Sequence, residues 1–177
     1  MQAALLQDGC PLFSCRNKGG LLFYQRRDIA VKQGKPIQIR GYIVFDERIC
    51  SGCRTCEAVC SLSHEGAVSS HLSRIQVVTW PFEGYRSDIH TCLQCEDPEC
   101  MAVCPTGALQ RDELTGALII GEEACTGCKA CMDACSQTPS RIRYDEQRSI
   151  CVKCDLCGGT PLCVKYCMEG ALSFKKG

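Results

Sequence analysis

Cysteine placement constrains this chain more than any other property. Sixteen of its nineteen cysteines fall into four tetrads. The first is Cys50, Cys53, Cys56, Cys60, and the third repeats its rhythm at Cys125, Cys128, Cys131, Cys135. The second is Cys92, Cys95, Cys100, Cys104, followed by Pro105, and the fourth is Cys154, Cys157, Cys163, Cys167. A three-residue gap precedes the last cysteine of every tetrad. The chain has 177 residues and 6% aromatics, so it holds little apolar material for one conventional core. Bound metal would then serve as the folding nucleus, and the metal-free chain is expected to be largely unfolded.

The spacing selects among the chemistries open to thiols. In a Cys-x2-Cys-x2-Cys loop the backbone wraps one cubane so that three thiolates reach three irons, while the fourth cysteine points away to a second cluster. Gly52 and Gly127 suit such a loop, because glycine accepts a left-handed or crowded backbone. Structural zinc would use separated cysteine pairs or mixed Cys and His, and gives no reason for a repeated three-cysteine run. Disulfides are disfavoured because cysteines three apart on a tight loop pair poorly. The tetrads therefore point to iron-sulfur clusters.

The formal charge of zero counts every cysteine as neutral. Four oxidised cores of about +2 against sixteen thiolates would bring the loaded chain to about −8. Such a polyanion, with no basic block, argues against nucleic-acid binding. No run of eighteen apolar residues argues for direct membrane insertion, and Arg26 and Arg27 are followed by Asp28 and Lys32 where a twin-arginine signal needs an apolar stretch. The expected location is the cytoplasm, where thiols stay reduced.

Residues 1–40 carry no tetrad and read as a separate extension, with short extended runs at Leu21–Gln25 and Pro36–Arg40. Strands are predicted at Gly41–Glu47, Leu72–Trp80, Arg141–Asp145 and Ala171–Phe174, and a hairpin from Ala108–Arg111 and Ala117–Ile120 around Thr115 and Gly116. Short helices are expected after the third cysteine of each tetrad, as at Thr55–Val59 and Ala130–Ala134. An internal repeat aligns Cys104-Pro105-Thr106-Gly107-Ala108-Leu109 with Cys167-Met168-Glu169-Gly170-Ala171-Leu172, and Cys50–Cys56 with Cys125–Cys131. In that register Cys154 and Cys157 match Cys92 and Cys95, which leaves Cys151 outside the tetrads. The fold class expected is α+β.

From Gly41 to Phe174 the chain resembles the four-cluster ferredoxin subunits of molybdenum and tungsten oxidoreductases. Cys53-Arg54-Thr55-Cys56-Glu57, Ser61-Leu62-Ser63-His64-Glu65-Gly66 and Cys151-Val152-Lys153-Cys154-Asp155-Leu156-Cys157-Gly158-Gly159 carry the narrower likeness. It is to the small subunits of tungsten-dependent class II benzoyl-CoA reductase, slightly preferred, and of tungsten aldehyde oxidoreductase. The resemblance implies four [4Fe-4S] clusters with nested ligation. One would be held by Cys50, Cys53, Cys56 and Cys167, and a second by Cys154, Cys157, Cys163 and Cys60. A third would use Cys92, Cys95, Cys100 and Cys135, and the fourth Cys125, Cys128, Cys131 and Cys104. Two ferredoxin-like modules follow, the inner one (92–140) inserted into an outer one (41–91 and 141–177), with 1–40 as a docking extension. Met168 and Ser136 depart from the family, which usually has proline there.

Other residues have plainer readings. Arg54 and Lys129 sit between ligands, where a charge either tunes a potential or is simply solvated. His64 and His90 read as surface or packing histidines, Cys10, Cys15 and Cys151 as buried thiols, and Trp80 and Tyr85 as packing or interface residues. No nucleophile, base and oxyanion site come together, and no Rossmann or P-loop glycine pattern occurs. The chain is thus expected to be a non-catalytic electron relay. Its expected partners are a larger tungsten- or molybdenum-containing catalytic subunit and a further redox subunit or soluble ferredoxin; a freely diffusing polyferredoxin is the alternative.

Overall fold

The computed structural model describes residues 41–176 apart from positions 83 and 85. The extension 1–40, with its two expected extended runs, Cys10 and Cys15, lies outside the described residues, as does Tyr85. Eight short strands and four short helices follow in the order β1 (Gly41–Phe45), α1 (Thr55–Glu65), β2 (Gln76–Trp80), β3 (Arg86–His90), α2 (Glu99–Ala102), β4 (Leu109–Arg111), β5 (Leu118–Ile120), α3 (Ala130–Asp133), β6 (Arg143–Asp145), β7 (Ile150–Val152), α4 (Leu162–Lys165) and β8 (Leu172–Lys176).

All pairing among the described strands is antiparallel and two-stranded. Three pairs are local: β2 with β3, β4 with β5, and β6 with β7. The fourth joins distant parts of the chain, because β1 pairs with β8 in the register Ile43 to Phe174. Helices pair in the same manner, α1 packing on α4 and α2 on α3. The result is a small α+β fold of two-stranded antiparallel ladders and paired short helices.

Sequence and structure differ at several element boundaries. Each helix contains the third cysteine of its tetrad rather than following it: Cys56, Cys100, Cys131 and Cys163 all lie within helices. α1 runs on to Glu65 and stops where Gly66 turns left-handed and its N–H bonds the Leu62 carbonyl at 3.0 Å. β2 begins at Gln76, not Leu72, because the Ser73 hydroxyl donates to the Ile75 carbonyl at 2.5 Å and accepts the Ile75 N–H at 3.2 Å. That closed local loop takes Ile75 out of any ladder.

The apolar core is thin and interleaved with thiols. One cluster gathers Ile43, Ile75, Ala117, Leu156 and Leu172 around Cys60, Cys92, Cys154 and Cys163. A second gathers Leu109, Leu118 and Ile142 around Cys131 and Cys151. Arginines tie the surrounding loops together. Arg74 reaches Asp155 at 3.2 Å, Glu65 at 3.5 Å and Glu122 at 3.6 Å, while Arg148 reaches Glu65 at 2.8 Å and Asp145 at 2.6 Å. Arg111 donates to the Cys95 and Glu96 carbonyls at 2.7 Å, fixing the second tetrad against β4.

Candidate metal centres

Each tetrad opens with the same backbone device. The second residue after the first cysteine is left-handed in all four: Gly52 (φ 69°), Gln94 (57°), Gly127 (65°) and Leu156 (59°). This reversal turns the next cysteine back toward the first. In the first and third tetrads a second left-handed residue, Arg54 (φ 60°) or Lys129 (φ 66°), immediately precedes the helix. The helix then carries the third thiol inward.

The structure brings together cysteines from different tetrads. Cys50, Cys53, Cys56 and Cys167 line one cavity, closed by Phe45, Val77, Ile89 and Leu172. Cys92, Cys95, Cys100 and Cys135 line a second, with Leu118, Ile142, Arg141 and Lys153. Cys104, Cys125, Cys128 and Cys131 line a third, together with Cys151. Cys60, Cys154 and Cys157 all crowd Cys163, whose thiol is pushed up first by burial and then by those three and Cys56. All seventeen described cysteines are free thiols.

Burial and crowding push several of these thiols up. Burial first, with further push from neighbouring cysteines, raises Cys56 to about 11 and Cys131 to about 12. Burial likewise raises Cys154 to about 12, with Cys92 adding to it. The same neighbours reveal how the four groups abut. Cys56 presses on Cys163, Cys92 on Cys154, and Cys100 on Cys131. The row therefore runs from the group of Cys50 to that of Cys154, then to that of Cys92, then to that of Cys125. Cys53 and Cys128, one in each end group, are the two exposed cysteines among those described.

Backbone amides already point at the sulfurs. Arg74 N–H donates to Cys60 Sγ at 3.3 Å, Gln94 N–H to Cys92 at 3.5 Å, Arg141 N–H to Cys135 at 3.4 Å and Cys151 N–H to Cys125 at 3.4 Å. At the exposed end the Thr55 hydroxyl lies 3.4 Å from Cys53 and holds that thiol below its ordinary value.

Residues beyond the tetrads also take definite places. Arg54 reaches the buried carboxylate of Glu57 at 3.6 Å, and Lys129 stands 3.8 Å over the Tyr144 ring. Trp80 packs under Arg86 at 5.4 Å. His90 Nε2 lies 4.0 Å from Asp88. His64 sits against the fourth tetrad, its Nε2 3.7 Å from Cys157 Sγ and 3.5 Å from Asp155. Cys151, 1% exposed, is a fifth thiol on the third cavity. Lys153, Arg141 and Gln94 were not singled out by the sequence. The one available signal was that Lys153 lies between Cys151 and Cys154, inside a motif dominated by ligands.

Groups of four thiols, each with donors aimed at sulfur and with left-handed loops that let the backbone wrap close, fit a cuboidal iron-sulfur cluster better than a single ion. Metal binding would supply the charge that turns these buried thiols into thiolates. Fold and site together define an iron-sulfur protein of the electron-transfer class. Residues 85–177 match the family model described as a 4Fe-4S dicluster domain, and the chain belongs to that family. It is 46% identical over 134 residues to the polyferredoxin-like subunit of an aliphatic sulfonate oxidoreductase from Pyrococcus furiosus, covering 75% of each chain. It is 36% identical over 133 residues to the beta subunit of NADH-dependent phenylglyoxylate dehydrogenase from Aromatoleum evansii, covering 73% of this chain but 29% of that one. A solved complex titled the active site complex BamBC of benzoyl coenzyme A reductase contains a chain 26% identical to this one, with a TM-score of 0.47 over 78% of this chain and 81% of that one. The chain is an iron-sulfur electron-transfer polypeptide of the kind found as subunits of oxidoreductases, and among its described residues no helix is long and apolar enough to cross a membrane.

Proposed function

We propose that this chain relays single electrons through four [4Fe-4S] clusters to or from a larger tungsten- or molybdenum-containing catalytic subunit in the cytoplasm. One observation carries the reading. Three cavities are each lined by three cysteines of one tetrad and the last cysteine of another, and the remaining four cysteines crowd together. The proposed ligand sets are Cys50, Cys53, Cys56, Cys167; Cys154, Cys157, Cys163, Cys60; Cys92, Cys95, Cys100, Cys135; and Cys125, Cys128, Cys131, Cys104. Bound clusters supply one-electron chemistry, with potentials set by charge, hydrogen bonds to sulfur and exposure. The chain holds them in a row and leaves Cys53 and Cys128 at the surface, as points of entry and exit.

Two modules account for the packing. α1 and α4 with β1 and β8 make the outer one, residues 41–91 and 141–177. α2 and α3 with β4 and β5 make the inner one, residues 92–140. Residues 1–40 serve docking. Sequence resemblance supports a partner of the class II benzoyl-CoA reductase kind, slightly preferred over a tungsten aldehyde oxidoreductase. The Pyrococcus relative favours a second reading, an oxidoreductase of the aliphatic sulfonate kind, because it matches at 46% identity over three-quarters of both chains.

Anaerobic co-purification with metal and sulfide analysis tests both parts. The expected result is about sixteen irons per chain, as four four-iron clusters require, and a larger polypeptide carrying tungsten or molybdenum. Zinc in place of iron sinks the cluster assignment. A stable, iron-replete free monomer sinks the subunit assignment.

A further inference from the structure

Two cations with buried donor atoms line one of these cavities. Lys153 is 2% exposed, and its Nζ donates to the carbonyls of Leu118 and Cys154, the latter at 3.0 Å. Both acceptors are neutral, and no carboxylate among the described residues forms an ion pair with it. Arg141 is stranger still. Its Nε and Nη1 are buried and have no hydrogen-bond partner, while its backbone N–H points at Cys135 Sγ. Both side chains line the cavity of Cys92, Cys95, Cys100 and Cys135. Asp97 and Glu99 line it too, but both are exposed, where water screens them.

A buried ammonium costs several kcal/mol of desolvation unless an anion compensates it. Buried guanidinium donors without acceptors are equally costly. Lys153 is not needed merely as a clip, because Gln94 already ties the same two segments: its amide donates to the Cys154 carbonyl at 2.9 Å and accepts the Leu118 N–H at 2.6 Å. A cluster bound in this cavity would supply both the missing anion and the missing acceptors, since it would carry about −2 when oxidised and one more negative charge when reduced. The other two cavities differ. That of Cys125 has no charged side chain in its lining, and that of Cys50 has Arg54 offset by Glu169.

We infer that Lys153 and Arg141 are potential-setting residues which stabilise the reduced state of the cluster held by Cys92, Cys95, Cys100 and Cys135, making it more easily reduced than either end cluster. The inference rests on the cluster reading above. Lys153 also bonds the backbone of Cys154, a member of the adjoining set, so its charge stands at the step where the outer and inner sets meet.

The test is an anaerobic redox titration of the full iron-loaded chain followed by EPR. Cys135→Ser identifies which signal belongs to this cavity. In the unaltered chain that signal is expected to appear before those of the two end clusters. Lys153→Gln and Arg141→Gln, with iron content unchanged, should each lower its reduced-to-oxidised ratio at fixed potential by tenfold or more, about 59 mV for a one-electron couple. The two end clusters should not move. Unmoved titrations in both neutral variants at full iron content overturn this inference alone, whereas a chain without iron overturns the relay reading with it. If Lys153→Gln fails to load iron, Lys153→Arg decides: recovered loading with the original titration supports a charge, and continued failure shows that only side-chain shape matters and overturns it.

Discussion

The loops Cys50–Cys56 and Cys125–Cys131 share one pattern, Cys-x-Gly-Cys-x-x-Cys, and one backbone, yet the molecule completes them differently. The later loop meets Cys104, a near neighbour in sequence, beside the local β4–β5 hairpin. The earlier loop meets Cys167, brought from the far end of the chain by the pairing of β1 with β8. Loop closure costs entropy that grows with separation, and non-local pairings form slowly. The same motif is therefore placed once in a locally assembled setting and once in a setting that depends on most of the chain.

Metal removal is the strongest way to probe this contrast. Structural metal-thiolate sites contribute on the order of 10 kcal/mol in small domains. Chelation should abolish most of the circular dichroism signal, and hydrogen exchange should show β1 and β8 losing protection before β4 and β5. Equal loss in both regions would show that closure distance does not matter here.

Glycine substitution separates the loops next. A Cβ at Gly127 would run into the Ser149 carbonyl oxygen, which is backbone, whereas one at Gly52 would meet the Ser87 hydroxyl at 2.9 Å, the end of a side chain. Both positions are left-handed, so each substitution carries about 1 kcal/mol of strain. Overpacking adds roughly 1–3 kcal/mol where the neighbour cannot yield. Gly127→Ala should thus reduce stability and iron retention clearly more than Gly52→Ala in denaturant titrations of the loaded chain. The reverse order would break the comparison.

Smaller effects come from what each loop does with its basic residue. Glu57 is 3% exposed, accepts the Val77 N–H at 2.6 Å and faces Arg54. Glu57→Gln should cost about 1–3 kcal/mol, as loss of a hydrogen bond to a charged group does, read as a lower denaturation midpoint. Lys129 meets an aromatic face instead, and Lys129→Gln should cost about 0.5–1 kcal/mol. A larger loss at Lys129 than at Glu57 would mean that the later loop is the more dependent on its charge.

The sequence showed the hairpin around Gly116 and the strand leading into Cys50, because each rests on local chemistry: turn residues and β-branched runs. β3 escaped notice, since Arg86-Ser87-Asp88-Ile89-His90 has little strand propensity and takes its form from β2. The full length of α1 was missed although Gly66 marks its end, because Ser61, Ser63 and His64 break the apolar pattern; Ser61 is wholly buried and bonds back to Glu57 and Ala58. Lys153 and Arg141 were illegible for a different reason. A lysine or arginine between ligands looks like a solvated charge until the fold shows that water has been removed from it.

The pairing of β1 with β8 also sets an order of manufacture. Chains emerge from the ribosome N-terminus first and fold as their parts appear. Under the proposed ligation, the inner two cysteine sets are complete once Cys135 has been made, while the outer two wait for Cys163 and Cys167. The earliest tetrad synthesised is among the last to be closed, and Cys50, Cys53 and Cys56 must be kept reduced and unclaimed while the remainder of the protein is built around them.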